Sequence, residues 1–232
     1  MIHFRRAADR GVTRVDWLDS RHSFSFDRYY NPCYMGFRSL RVINDDRVAP
    51  GAGFPTHAHR DMEILTYVLE GRLAHQDTTG VGSTLGPGEV QRMCAGAGIA
   101  HSEYNHSSVE PVRFLQIWIK PDSKGLEPGY EQRHFPDEEK RGKLAVIASG
   151  GGVEGALSIR QDAALLASVL EPGQGVAHTL SPGRHAWVQV ARGSVTLNGS
   201  PMEEGDGAAV SDVKDLEITA RAPAEILLFD LA

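Results

Sequence analysis

The chain has 232 residues, with 24 Lys and Arg against 30 Asp and Glu, giving a formal net charge of −6. That length allows one large or two small domains, and the balance lacks the basic excess of a nucleic-acid binder. An uncharged stretch as long as any, Pro172–Gly183, is broken by Gly and Pro and falls short of the roughly 20 apolar residues of a membrane helix.

The opening run Met1-Ile2-His3-Phe4-Arg5-Arg6 leads into charge rather than an apolar core, which predicts no secretory leader. Two cysteines, Cys33 and Cys94, cannot make a disulfide framework, so a reducing cytoplasm is the expected compartment. The 25 Gly and 12 Pro predict many turns, and the 10 His direct attention to metal or proton chemistry.

Short apolar runs separated by Gly and Pro follow in chain order. Strands are predicted at Ile64–Leu69, Phe114–Ile119 and Leu144–Ile147, then at Ala186–Val190, Ser194–Leu197 and Ile226–Phe229. Asn198-Gly199, after an alternating strand, predicts a tight hairpin. Residues 127–141 are polar, contain Pro128 and Pro136, and read as a linker with at most one helical turn. Residues 161–170 have helical propensity but end at Glu171-Pro172-Gly173, and read as strand or mixed. Asp45-Asp46 reads as a turn and the acidic run Asp137–Glu139 as solvated linker.

A weak internal repeat bears on the domain count. Aligning Gly71 with Gly193, 122 positions on, also places Gly51 on Gly173. The expectation is an all-β chain of two related barrels: residues 1–136, a linker at 137–143, and residues 144–232.

The residues that carry chemistry lie in the first half. His57 and His59 are an i, i+2 pair that shares one face of a strand, and Glu63 has their parity. His101 and Glu103 form a second such pair. On neighbouring strands these would bring three imidazoles and one or two carboxylates to one point, a donor set suited to a borderline divalent metal. The residues themselves leave the choice between Glu63 and Glu103 open.

Gly51-x5-His57-x-His59-x3-Glu63 resembles the first motif of cupins, and Gly98-x2-His101-x3-Asn105 the second. The departures are a closing glycine one residue late, at Gly71, and Gly96 where the second motif usually has proline. Asp19-Ser20-Arg21-His22-Ser23-Phe24-Ser25-Phe26, Leu40–Asp46, His57–Gly71 and Gly98–Asn105 are similar to signatures of the pirin family, in particular its bacterial quercetinase-like branch. That resemblance implies two cupin barrels (double-stranded β-helix, jelly-roll-like). It implies one metal held by His57, His59, His101 and Glu103, which leaves Glu63 outside the ligand set or hydrogen-bonded behind it.

The resemblance further implies a dioxygenase that takes a flavonol such as quercetin and O₂, with Glu103 as the base that accepts the 3-hydroxyl proton and carbon monoxide as a product. Fe(II) is the favoured metal, and Cu, Ni, Mn, Co and Zn tolerate the same donors. Partners are then a small flavonol and O₂, with no nucleic acid and no membrane. The same family also implies two alternatives: a redox-sensing regulator that binds a protein partner, and a cupin oxygenase with a non-flavonoid substrate.

The second half is expected to be metal-free. At the 122 offset His57, His59 and Glu63 fall on Thr179, Ser181 and His185, and at an offset of 117 His101 and Glu103 fall on Ile218 and Ala220. Of the remaining candidates, Cys94 is expected as a buried apolar thiol and Cys33 as an exposed one. Met62 and Met93 are expected to pack the core, and His22, His75 and His106 to be solvated or hydrogen-bonded.

Overall fold

A computed structural model describes all 232 residues as 22 strands, one 3₁₀ turn at Ala7–Asp9 and one helical turn, Asp137–Lys140. Twelve strands precede that helical turn. They are β1 (Ile2–Arg5), β2 (Gly11–Val15), β3 (Leu18–His22), β4 (Leu40–Val48), β5 (Gly53–His59) and β6 (Glu63–Glu70), then β7 (Leu73–Asp77), β8 (Gly82–Leu85), β9 (Glu89–Cys94), β10 (Ile99–Asn105), β11 (Val112–Ile119) and β12 (Gly129–His134). Ten follow it: β13 (Ala145–Ser149), β14 (Leu157–Ser158), β15 (Ala163–Leu170), β16 (Gly175–Thr179) and β17 (His185–Arg192), then β18 (Ser194–Leu197), β19 (Ser200–Glu203), β20 (Gly207–Val210), β21 (Asp215–Ala220) and β22 (Ala224–Leu231). No helix is long and apolar enough to cross a membrane.

The strands form two barrels, each from a seven-stranded and a four-stranded sheet. The first has the orders β12-β9-β6-β11-β4-β3-β2 and β5-β10-β7-β8; the second has β1-β20-β17-β22-β15-β13-β14 and β16-β21-β18-β19. The repeat seen in the sequence is a repeat of strands. β5 and β16 begin at Gly53 and Gly175, and β6 and β17 at Glu63 and His185, each pair 122 positions apart. Gly71 and Gly193 close the equivalent strands at φ 73°. A Cβ would lie 2.4 Å from the Pro111 carbonyl oxygen at Gly71 and 1.9 Å from that of Pro223 at Gly193, so both turns require glycine.

Three placements differ from the sequence expectation. Residues 129–134 are not linker but strand β12, paired along its length with β9 from Gly129↔Cys94 to His134↔Glu89. β1, within the segment expected as the first barrel, is the edge strand of the second barrel's large sheet, pairing Ile2↔Val210 through Arg5↔Gly207. Asp45 and Asp46 are not a turn; they lie inside β4, both buried. Residues 163–170 are strand β15, and Asn198 (φ 47°) and Gly199 (φ 79°) make the hairpin between β18 and β19.

The two large sheets stack face to face, which explains why their central strands are apolar on both sides. On β6, Leu65, Tyr67 and Leu69 enter a core between the barrels together with Leu115, Ile117, Leu165, Trp187, Leu227 and Phe229. The intervening Val68 points into the first barrel with Val48, Leu73, Leu85, Val112 and Phe114. The second barrel is filled by its own apolar cluster, including Val188, Val190, Ile226 and Leu228, and Ile218 and Ala220 of β21 are part of it. Met93 packs in the first barrel with Ile64 and Ile99, and Met62 lies against them.

Polar groups cross the interface between the barrels at a few points. Arg113 holds Asp45 through two hydrogen bonds, Nε to Oδ1 at 2.9 Å and Nη2 to Oδ2 at 3.0 Å, and reaches Glu204 of the second half at 2.8 Å. The Lys140 ammonium donates to the Tyr67 hydroxyl at 2.9 Å and to Glu225 at 3.2 Å.

Candidate metal centre

The sheet that closes one side of the first barrel brings the imidazoles together. β10 pairs antiparallel with β5, placing His101 opposite His57 and Ile99 opposite His59. The register slips between His101 and Glu103, which faces Phe54, so β5 carries a bulge at the site. Pro55 lies in that bulge, where its missing N–H costs no ladder bond. Its carbonyl accepts from His57 Nδ1 at 2.8 Å, which leaves Nε2 of that ring with a free lone pair.

Ring centroids are 4.7 Å apart for His57 and His59, 4.5 Å for His57 and His101, and 4.9 Å for His59 and His101. One nitrogen from each of the three lies within 4.8 Å of the others. His101 is buried, and its Nε2 has no hydrogen-bond partner. An orphaned buried ring nitrogen is costly unless a ligand completes it. Burial and the neighbouring imidazoles push His59 down to about 4 and His101 to about 3. Both rings are therefore neutral at pH 7, the state that donates a lone pair to a metal. The donor set fits a borderline divalent metal.

Glu103 belongs to the adjoining group of His75, His101 and Glu103, which shares His101 with the three imidazoles. Its Oε1 accepts from Thr66 Oγ1 at 3.2 Å and Gln91 Nε2 at 3.0 Å, and its Oε2 accepts from Gln116 Nε2 at 2.7 Å. Burial pushes its carboxyl up to about 7 against these three donors. Glu63 goes elsewhere. The chain turns at Asp61 (φ 50°) and enters the other sheet, so the parity shared with His57 and His59 is lost. Glu63 pairs with Cys94 and points toward Arg92, whose Nε is 3.6 Å away. Burial raises Glu63, and together they push the Cys94 thiol up to about 11, leaving it a poor nucleophile.

A row of polar side chains runs straight across the large sheet behind Glu103. The register aligns Gln91 with Thr66, Thr66 with Gln116, Gln116 with Asn44, and Asn44 with His22. His22 is buried, its Nδ1 2.8 Å from Asn44 Oδ1 and its Nε2 2.8 Å from Thr13 Oγ1. The sequence reading passed over Thr66, Gln91, Gln116 and Asn44. The available signal was a polar residue interrupting an apolar strand, as Thr66 does in Ile64–Leu69 and Gln116 in Phe114–Ile119.

His75 is hydrogen-bonded, as expected. It is buried on β7 opposite Glu103, with its Nε2 3.0 Å from Asp77 Oδ2 and its Nδ1 3.5 Å from His101 Nδ1. A carboxylate accepts only, so His75 Nε2 carries the proton, its Nδ1 accepts, and His101 Nδ1 donates. This order leaves the lone pair of His101 on Nε2, the buried atom with no hydrogen-bond partner. Asp77 Oδ1 is fixed as an acceptor by the amides of Thr79 and Val81. Asp77→Asn therefore turns an N–H toward His75 and reverses the chain, putting a proton on His101 Nε2. A competitive metal titration should show affinity reduced about 10–100-fold; unchanged affinity would refute the relay. His106 is exposed and takes no part.

The imidazoles open onto a cavity of about 490 Å³ whose walls include Phe26, Phe54 and Trp118 with Thr13, Ser20, His22, Asn44, Asp46 and Glu103. Trp118 stands edge-on to His59 at 5.0 Å and to Phe26 at 5.3 Å. Such a volume holds a ligand the size of a small polycyclic aromatic, with several polar side chains placed to orient it.

Comparison with known proteins places this geometry in a family. Residues 4–119 match the pirin family model and residues 146–231 match that of the quercetinase C-terminal cupin domain. A quercetin 2,3-dioxygenase of Escherichia coli is 47% identical over 231 residues, covering 100% of this chain and 99% of that protein. A pirin-like protein of Caulobacter vibrioides is 42% identical over 93% of each chain. The crystal structure of the bacterial pirin YhhW from Escherichia coli in complex with nickel(II) superposes with a TM-score of 0.95 at 46% identity, covering 100% of this chain and 99% of that one. The chain belongs to the pirin family, is built as two cupin barrels, and is quercetin 2,3-dioxygenase-like along its whole length.

Proposed function

We propose that the protein is a metal-dependent dioxygenase that cleaves flavonols such as quercetin with O₂ and releases carbon monoxide, at one site in the first barrel held by His57, His59, His101 and Glu103. The observation that carries this reading is the buried, unpartnered Nε2 of His101 beside two further imidazoles at the edge of an aromatic-walled cavity. A divalent transition metal, Fe(II) for preference, supplies Lewis acidity toward the 3-hydroxyl of the substrate when bound.

The chain's own residues do the rest. Phe26, Phe54 and Trp118 offer apolar surface to a flat aromatic ligand and exclude water from it. Glu103, held by Thr66, Gln91 and Gln116, takes the 3-hydroxyl proton on its carboxylate. Those three donors fix the carboxylate in place before substrate arrives, which lowers the cost of ordering it at the moment of proton transfer. The flavonolate so formed is the electron-rich partner of O₂; both oxygen atoms enter the products, one ring carbon leaves as carbon monoxide, and an ester of two aromatic acids remains. The cytoplasm is the compartment we assign to this activity.

The test is direct. The purified protein is loaded with Fe(II), given quercetin in air, and followed by flavonol absorbance and carbon monoxide release. One carbon monoxide per flavonol consumed is expected. Loss of absorbance without carbon monoxide would contradict the ring-cleavage chemistry, and no loss at all with any of Fe, Cu, Ni, Mn, Co or Zn would contradict the flavonol reading.

A further inference from the structure

Asp45 and Asp46 are neighbours on β4 with opposite fates. Asp45 faces the second barrel and is held by Arg113. Asp46 faces the cavity, between Ser20 on β3 and Phe114 on β11. It is 3% exposed, and its Oδ1 has no hydrogen-bond partner. Burial pushes its carboxyl up to about 7, Asp45 and Glu103 add to the rise, and only the Ser20 hydroxyl opposes it. No cation offsets it, whereas Asp45 next door has Arg113, Arg10 and Arg47. A buried carboxyl oxygen without a partner is expensive in a folded protein, and one that lines a cavity is completed by whatever enters.

We propose that Asp46 is a substrate-recognition residue: it accepts a hydrogen bond from a ring hydroxyl of the bound polyphenol other than the 3-hydroxyl, and so selects polyhydroxylated flavonols. The inference rests on the flavonol reading above. The 3-hydroxyl is assigned to Glu103 and the imidazoles, which lie on the small sheet at β5 and β10. Asp46 lies on β4 of the large sheet, on the same face as Asn44, and lines the same cavity as Glu103 and the imidazoles, so a ligand that fills the cavity reaches it. The aromatic walls supply affinity for any flavone skeleton but cannot count hydroxyls. A buried acceptor can, because an analogue lacking the donor leaves the carboxyl unpaired.

The experiment compares quercetin with 3-hydroxyflavone, which has the 3-hydroxyl and no other. Anaerobic binding to the metal-loaded protein is titrated by flavonol absorbance for the wild type, Asp46→Leu and Asp46→Asn, with metal content measured in each. The wild type should bind quercetin at least tenfold more tightly than 3-hydroxyflavone. Asp46→Leu should weaken quercetin about 10–100-fold, because the ring hydroxyl is then buried without an acceptor, and leave 3-hydroxyflavone within about threefold. Asp46→Asn keeps one acceptor oxygen and should fall between them. Metal content should not change, and the thermal midpoint of Asp46→Leu should equal or exceed that of the wild type, because an unpaired buried carboxyl has been removed.

Equal weakening of both ligands in Asp46→Leu would overturn the proposal, as would quercetin binding as tight as wild type in that variant. In both cases the wild type still binds flavonol and the functional reading stands. A metal-loaded wild type that binds neither ligand would instead bring down the functional reading, and this proposal with it. Should Asp46→Leu fail to fold, the ratio of the two affinities in Asp46→Asn decides: a ratio equal to wild type, together with equal quercetin affinity, counts against the assignment.

Discussion

His101→Ala is expected to leave a folded protein that no longer retains metal and no longer turns over quercetin. His101 is the one residue common to both clusters of candidate donor side chains, so its removal takes a donor from each. It also leaves His75 Nδ1 without its partner. Metal affinity should fall by more than about a thousandfold, since the loss combines a first ligand with the group that the Asp77–His75 relay orients. Turnover should fall at least as far as metal occupancy does. Far-UV circular dichroism should be unchanged, because the β10 ladder is made by backbone groups.

Two carboxylate variants sharpen the result. Glu103→Gln should lose metal about 10–100-fold and turnover more than that, because the proton acceptor goes with the ligand. Glu63→Gln should keep its metal, since Glu63 faces Arg92 and Cys94 rather than the imidazoles. Metal per chain after dialysis, measured beside flavonol turnover, decides. Full turnover in His101→Ala would refute the centre, and equal metal loss in the two glutamate variants would refute the single-carboxylate assignment.

The largest effect on stability is expected at Arg113. Its guanidinium and the Asp45 carboxylate are both buried, and Arg10 approaches Asp45 only to 3.6 Å. Arg113→Met leaves Asp45 charged and largely unpaired between the barrels, a change that costs about 3–5 kcal/mol. In a chain of this size that is a fall of roughly 6–20 °C in thermal midpoint. Arg113→Met combined with Asp45→Leu should recover most of it, because two apolar side chains replace a pair rather than orphan one partner.

The effect depends on pH with a definite sign. Arg113 is the main partner that holds Asp45 below the usual carboxylate range against burial. Its stabilisation is thus complete above the unfolded pKa of about 4 and fades as pH falls through the lower folded value. In Arg113→Met the burial is uncompensated, so protonation relieves the strain instead. The gap between wild type and variant should shrink steadily from pH 7 to pH 3 in urea unfolding curves. A constant gap would mean that Arg113 acts by packing alone.

Much of this molecule is written in local pattern. Gly and Pro spacing marks the turns, and alternation marks strands such as β18. The two i, i+2 pairs, His57 with His59 and His101 with Glu103, name the candidate donors. These features are legible because strand parity and turn conformation are properties of a few adjacent residues. The repeat is legible for the same reason: Gly71 and Gly193 close equivalent strands where no side chain fits.

What tertiary structure decided are the relations between residues far apart in sequence. Parity made Glu63 look like a partner of His57, but the turn at Asp61 sends β6 into another sheet, and parity does not survive a change of sheet. Polar residues such as Thr66 and Gln116 look like blemishes in apolar strands until the register lines them up behind Glu103. β1 carries no mark of belonging to the far barrel, because edge pairing is made by backbone groups that every residue possesses. Asp45 and Asp46 are the same residue type side by side; one becomes an ion pair between barrels and the other an unpaired acid in the cavity. The residues supplied the chemistry, and the pairing of distant strands decided which groups meet, since burial and electrostatics depend on neighbours in space.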